Sequence, residues 1–176
     1  MAGQDAVLAW LTPGLWIPPD DIVAALGKEN GERVNTILGG APSKVFEIIE
    51  GHAIQCDATR TGTLHLGHNA KGCQELARRR DQLQHRGAPV TLLEGEECER
   101  MTGTSQIHTA LLDERAGTIN PCGYTRGLAR AAANSGATLY CHSAATGIER
   151  HGDRWRVMTE GGSVTANRVV MATNAY

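Results

Sequence analysis

The stretch GTINPCGYTRGLARAAANSGATLYCHSAATGIERHGDRWRVMTEGGSVTANRVVMATNAY, residues 117–176, carries the clearest structural signal in the chain. It opens with Asn120-Pro121, which predicts a helix start because asparagine caps a helix and proline fits its first turn. Asn134-Ser135-Gly136 predicts the end of that helix. Five short strands are predicted to follow, at residues 138–141, 146–149, 155–158, 163–165 and 169–172.

The last predicted strand, Val169-Val170-Met171-Ala172, is apolar throughout, which is typical of a strand buried on both faces of a sheet. The middle three strands alternate with turns at residues 151–153 and 160–162, so they predict a meander of hairpins. Small and polar residues follow the last strand, at the end where open α/β sheets bind their ligands. We therefore expect residues 119–176 to build part of a ligand-binding sheet.

Two further regions precede this stretch. Residues 18–53 predict two or three short helices, because Gly39-Gly40-Ala41-Pro42-Ser43 interrupts the helical spacing of apolar residues. The remaining elements up to residue 112 predict a mixed or antiparallel sheet with two helices. They are strands at 54–58, 63–66, 89–93 and 107–112, a helix capped by Asn69 and running to Arg86, and a short helix at 94–101.

The composition is that of one soluble globular domain, with 176 residues of which 41% are hydrophobic and 20% charged. The net charge is −2 and no long run of one sign occurs, so we expect no nucleic-acid partner. Arg78-Arg79-Arg80 lies among acidic residues and is interpreted as a solvated helix face. No apolar segment is long enough to span a membrane, and five unpaired cysteines favour a cytoplasmic location.

Common catalytic and binding motifs are absent: the sequence contains no GxGxxG, GxxxxGK[ST] or GxSxG. The segment from Gly39 to Lys44 lacks the spacing of a phosphate-binding loop. His65 and His68 suggest a metal site with Cys56 and Cys73, but a strand at 63–66 would leave His68 beyond its end. We therefore expect no metal site, and no catalytic acid or base is assigned.

The order of elements from Gly117 onward resembles the glycine and D-amino-acid oxidase superfamily of flavoproteins, especially the branch containing gamma-glutamylputrescine oxidoreductase. The resemblance covers the Asn-Pro helix, the meander containing Trp155-Arg156-Val157 and the closing residues 166–176. Residues 54–112 resemble the family's substrate domain in element order. Met1-Ala2-Gly3-Gln4 resembles a family motif of the type Arg-Asn-Gly-Gly-Gln beside the flavin, without its arginine and with Ala2 for a glycine.

The resemblance implies an α/β fold with a partial FAD-binding Rossmann-like sheet and a mixed or antiparallel substrate-domain sheet. Residues 1–53 would be a helical region peripheral to the FAD domain, 54–118 part of the substrate domain, and 119–176 the C-terminal part of the FAD-binding domain. The implied cofactor is FAD, and five residues are expected beside it, with the Ala145 backbone near the adenine. These residues are Gly3, Gln4, Ala145, Thr173 and Asn174.

The implied activity is oxidation of the C–N bond of a small-molecule amine or amino acid, in which hydride passes to the flavin and the protein orients and desolvates the reactants. The family's glycine-rich unit, which holds the FAD pyrophosphate, has no counterpart in these 176 residues. We therefore expect an inactive fragment that binds FAD weakly or not at all and self-associates through an uncovered sheet.

Two alternatives from other classes stay open. One is a non-catalytic folded remnant or binding module without flavin. The other is a small metal-dependent or thiol-dependent enzyme.

Overall fold

A computed structural model of the chain describes residues 8–173, which fall into two compact units divided between Ala132 and Ala133. Five helices and eight strands are formed in the described residues. The helices are α1 Pro19–Leu26, α2 Lys28–Gly51, α3 Ala70–His85, α4 Gly95–Thr102 and α5 Pro121–Asn134. The strands are β1 Ala9–Leu11, β2 Thr63–Gly67, β3 Val90–Glu94, β4 Thr109–Asp113, β5 Gly117–Ile119, β6 Ala145–His151, β7 Arg154–Thr159 and β8 Gly162–Ala166.

The fold is of the mixed α/β kind that the sequence predicts, and its sheets are antiparallel. In the first unit β4 lies between β2 and β3, and the short strands β1 and β5 form a separate pair. The second unit contains a three-stranded meander in the order β6-β7-β8. This meander confirms the hairpins predicted around residues 151–153 and 160–162.

The core of the three-stranded sheet is centred on β4. Leu111 and Ala110 are completely buried there because strands flank β4 on both sides and α3 packs against the sheet. Leu93 of β3 and Cys98 of α4 complete this cluster. A central strand with two partners has all its backbone groups in the ladder, so β4 anchors this part of the unit.

A second core joins the long helix α2 to the segment before β2. Phe46 and Ile49 of α2 pack with Ile54 and Cys56 and with Ile119 of β5. Helix α5 approaches the same core closely, because a Cβ atom at Gly127 would overlap the side chain of Ile54.

The predicted break at Gly39–Ser43 is wrong, because α2 continues through it. Pro42 has no N–H to donate to the carbonyl oxygen of Leu38, which would normally leave that acceptor without its helical partner. The backbone N–H of Gly14 donates to this oxygen instead, at 3.0 Å. A contact from the loop after β1 therefore compensates for the proline.

Three predicted strands, at residues 54–58, 138–141 and 169–172, are also wrong. In the first, Ile54 and Cys56 are buried as the alternation suggested, but the backbone is left-handed at Ala53 and at Asp57, which interrupts an extended strand. The stretch 138–141 has no ladder partner in the described part and is followed by a left-handed His142.

Residues 169–172 were predicted to be buried on both faces, yet Val170 is 86% exposed and Met171 74% exposed. A strand is stable only when neighbouring backbone groups pair with it, and no strand between residues 8 and 173 lies beside this segment. The apolar side chains of this segment therefore form an exposed surface within residues 8–173.

The predicted helix boundaries at Asn69 and Asn120 are confirmed. The side-chain oxygen of Asn69 accepts the N–H of Gly72 at 2.8 Å, and that of Asn120 accepts the N–H of Gly123 at 3.0 Å. None of the helices between residues 8 and 173 combines the length and apolar character needed to cross a membrane.

Two glycines of α2 should respond oppositely to alanine. A Cβ atom at Gly31 would lie 2.5 Å from the backbone Cα of Val23 in α1, whereas one at Gly40 would meet nothing within 4 Å. We expect Gly31→Ala to lower the free energy of unfolding by about 1–3 kcal/mol through overpacking. Gly40→Ala should raise it by about 1 kcal/mol through helix propensity. Urea unfolding followed by circular dichroism measures both, and equal effects of the same sign would contradict this packing of α1 on α2.

Candidate functional site

The structure describes two of the five residues expected beside FAD. Ala145 is the exposed first residue of β6, paired with Thr159 of β7, and a register shift follows it before Gly147. Thr173 is exposed and lies in no regular element. Gly3, Gln4 and Asn174 lie outside the described residues. The contact of all five with FAD stays a prediction.

The pyrophosphate of FAD needs several free backbone N–H groups, and a helix start is the usual source of them. The starts of α3 and α5 are closed by their own caps, because Asn69 and Asn120 accept the N–H groups of Gly72 and Gly123. These donors are already paired. Each cap therefore removes one N–H donor from those that an anion could use at these two helix starts.

Acidic side chains lie in the first turn of the other three helices, although α2 also begins with Lys28. Asp20 and Asp21 lie in the first turn of α1, and Glu29 lies in that of α2. Helix α4 begins with the adjacent acids Glu96 and Glu97. In α1 the N–H of Asp20 also donates to the side-chain oxygen of Gln82, at 3.1 Å. The acids at the starts of α1 and α4 therefore disfavour a pyrophosphate group, while Lys28 and Glu29 at the start of α2 oppose each other in charge.

A cavity of about 310 Å³ lies within the first unit. It is bounded by the loop after β1, by α2 and α3, and by the residues that follow β4. Three arginines line it together with two acids: Arg79, Arg86, Arg115, Glu32 and Asp113. Ile22 and Leu83 are among its apolar lining residues. The sequence analysis did not predict this site.

Two of the three arginines are neutralised by carboxylates. Arg115 donates to both oxygens of Asp113, at 2.9 and 2.6 Å, and the Asp113 side chain is only 4% exposed. Arg86 donates to both oxygens of Glu32, at 2.9 and 2.8 Å, and also pairs with Asp20. The hydrogen bonds from Arg86 lower the pKa of Glu32, which keeps this acid ionised.

Arg79 differs from both. Its Nη2 donates to the backbone oxygen of Leu15 at 2.9 Å, while its buried Nε has no hydrogen-bond partner among the described residues. Within the same residues, no carboxylate oxygen lies within 4.0 Å of its guanidinium. Burial lowers the pKa of Arg79, although arginine stays charged at neutral pH. The interpretation of this residue as solvated is therefore wrong, because the loop after β1 covers it.

The residues considered for a metal site do not converge. His65 lies in β2 with its ring edge-on to Trp16, and burial lowers the pKa of its imidazole. His68 is exposed beyond the end of β2. Between residues 8 and 173 no group of three or more His, Cys, Asp or Glu side chains is placed to hold a metal ion. The buried thiols of Cys56 and Cys98 have pKa values raised by burial, so they are poor nucleophiles.

Comparison with known proteins agrees with an oxidoreductase. The chain is 31% identical over 159 residues to a probable oxidoreductase, OrdL, of Rhizobium meliloti. It is 29% identical over 158 residues to gamma-glutamylputrescine oxidoreductase of Escherichia coli. Each match covers 89% of this chain and 37% of the relative, so the chain spans little more than a third of their length.

A solved structure shows the same fold. The chain superposes on glycine oxidase from Geobacillus kaustophilus with a TM-score of 0.64 and 24% identity, over 76% of this chain and 36% of that one. The fold and the named relatives point to a family of oxidoreductases. Residues 8–176 match the family described as DAO, FAD dependent oxidoreductase, and the chain belongs to that family.

The Asp113–Arg115 pair should be important for stability. Asp113→Asn removes the negative partner and leaves a largely buried Arg115 beside Arg79, so we expect the free energy of unfolding to fall by about 3–5 kcal/mol. Glu47→Gln is the matched control, because Glu47 pairs with Lys44 at 2.6 Å on an exposed surface and should change stability by less than about 1 kcal/mol. Similar small losses in both variants, measured by urea unfolding, would contradict a structural role for the buried pair.

Proposed function

We propose that this chain forms part of an FAD-dependent oxidoreductase that oxidises the C–N bond of a small-molecule amine or amino acid. The match of residues 8–176 to the FAD-dependent family carries this proposal. The relative named gamma-glutamylputrescine oxidoreductase supports an amine substrate. Since these relatives are much longer, the activity is proposed for a protein that supplies more than these 176 residues.

We propose that Ala145 contacts the adenine side of the cofactor with its backbone, and that Thr173, Asn174, Gly3 and Gln4 also lie beside the cofactor. The small and exposed character of Ala145, at the irregular start of β6, supports close approach by a ligand. In this reaction the flavin supplies the electron acceptor, and the protein binds and orients the substrate.

The capped starts of α3 and α5 and the acidic starts of α1 and α4 support weak FAD binding by this chain alone, because they are poor sites for a pyrophosphate. A non-catalytic binding module remains the alternative function, and the same feature favours it. If the chain is part of an oxidoreductase, its residual flavin binding depends on Ala145. If it is a non-catalytic binding module, there is no such dependence.

An FAD titration of the 176-residue chain, followed by flavin fluorescence, should show no saturation at low micromolar concentration. Saturation there would require a binding free energy of roughly 8 kcal/mol. Saturation-transfer NMR should still show transfer to the adenine protons at about 1 mM FAD. At this concentration the experiment detects a ligand whose binding free energy is roughly 4 kcal/mol. Ala145→Trp should abolish this transfer by blocking the backbone, whereas the exposed control Ala137→Trp should retain it.

Tight saturable binding would contradict weak binding by the chain alone. No transfer at any concentration, or equal transfer in both tryptophan variants, would contradict the proposed cofactor contact and favour the non-catalytic module.

We also propose that the chain self-associates and is cytoplasmic. The free state of all five cysteines supports a reducing compartment. In the second unit Val164 of β8 is half exposed, and Val170 and Met171 are almost fully so, which leaves an apolar surface of the kind that pairs with another copy.

At about 100 µM chain, size-exclusion chromatography with light scattering should show species larger than a monomer. This concentration populates complexes whose free energy of association is roughly 5–6 kcal/mol. The double variant Val170→Lys, Met171→Lys should shift the chain to the monomer, while Ser163→Lys at an exposed position of β8 should not. A wild-type monomer throughout this range would contradict self-association.

A further inference from the structure

The cavity of the first unit is lined by one arginine, Arg79, that has no carboxylate partner among the described residues. Arg79 lies in α3, Arg86 caps the end of that helix and Arg115 follows β4. Of these, Arg86 and Arg115 are held by bidentate carboxylates. Arg79 has a neutral carbonyl as its hydrogen-bond acceptor, although a guanidinium has five N–H donors. A half-buried charge in this state is unfavourable unless a negative group binds beside it.

Neighbouring groups do not remove this charge. Asp113 contributes a favourable charge at longer range, but both its oxygens are already engaged by Arg115. His65 also faces Arg79, and burial keeps its imidazole neutral at physiological pH. The positive potential at this wall of the cavity is therefore due to Arg79.

Apolar surface occupies another part of the same cavity. Ile22 of α1, Leu83 of α3 and Leu15 of the preceding loop all line it. The volume of about 310 Å³ is at the lower end of the range for small-molecule sites, roughly 300–1,000 Å³. Such a site favours a small ligand with one negative end and a short hydrocarbon body.

We propose that this cavity binds a small aliphatic monocarboxylate, with its carboxylate paired to Arg79 and its hydrocarbon body against Ile22 and Leu83. A planar carboxylate matches the guanidinium fork and can accept two parallel hydrogen bonds. Inorganic phosphate would satisfy the charge but would leave the apolar wall uncovered, so the carboxylate is the better occupant. This inference does not depend on FAD or on the proposed oxidation.

Isothermal titration of the 176-residue chain with 4-methylpentanoate tests the site. The neutral amide 4-methylpentanamide has the same body, and inorganic phosphate has charge without the body. We expect the carboxylate to bind at least about tenfold more tightly than either comparison ligand, because only the carboxylate both pairs with Arg79 and covers the apolar side chains.

The matched variants are Arg79→Gln and Arg78→Gln. Arg79→Gln removes the charge and should weaken carboxylate binding at least about tenfold, whereas Arg78, which is exposed and 3.5 Å from Asp21, should be replaceable within about twofold. Removing an unpaired buried charge should leave the fold intact, and a thermal melt verifies this. Arg79→Lys keeps the charge and should bind more tightly than Arg79→Gln.

Three results would overturn the proposal. The first is no carboxylate binding by the wild-type chain up to about 10 mM, well above the millimolar range expected of weak ligands. The second is equal binding of the amide, and the third is equal binding of phosphate, which would show a plain anion site. The comparison of ligands uses the wild-type chain, so it remains decisive even if an Arg79 variant fails to fold.

Discussion

The first turn of a helix leaves backbone N–H groups without helical partners, and their satisfaction is the constraint on which this structure depends. Asn69 and Asn120 accept such groups and thereby fix where α3 and α5 begin. Gln82 of α3 accepts the N–H of Asp20, which joins α1 to α3. The same donors are those a nucleotide diphosphate would use. Interactions that define the starts of α1, α3 and α5 therefore occupy donors that the diphosphate of FAD would need.

The arrangement of charged side chains in the first unit depends on the residues at the end of β4. Asp113 is the last residue of the central strand, and its carboxylate holds Arg115 where the chain turns toward β5. Glu32 of α2 holds Arg86 in the same way. These pairs fix two walls of the cavity and leave Arg79 as its one arginine without a carboxylate partner between residues 8 and 173, so a structural network also determines what the cavity can attract.

Local signals predicted much of this fold. Asparagine caps, the helix stop at Gly136, which has a positive φ, and the hairpin turns of β6 to β8 all depend on neighbours in sequence. The errors arose where distant residues decide. The continuity of α2 through Pro42 depends on Gly14, which lies outside the helix. Alternation at residues 54–58 correctly indicated burial, but a strand also needs a partner and an uninterrupted extended backbone.

The candidate sites divide in the same way. The flavoprotein family was identified from element order and short motifs, which survive in the sequence itself. The cavity was missed because Arg78, Arg79 and Arg80 have the same local charge pattern, and only the loop that places Leu15 over Arg79 distinguishes it from its neighbours. The local sequence does not show which of the three arginines is covered, because that depends on contacts between distant parts of the chain.

A diphosphate should find no strong site at the helix starts of residues 8–173. A titration of the ¹⁵N-labelled chain with ADP, followed by the backbone amide shifts, tests this expectation. We expect no saturable shift at the starts of the five helices, because α3 and α5 are capped, α1 and α4 begin with acids, and Glu29 opposes Lys28 in the first turn of α2. Saturable shifts clustered at one helix start, for example Lys28 to Gly31 of α2, would contradict it.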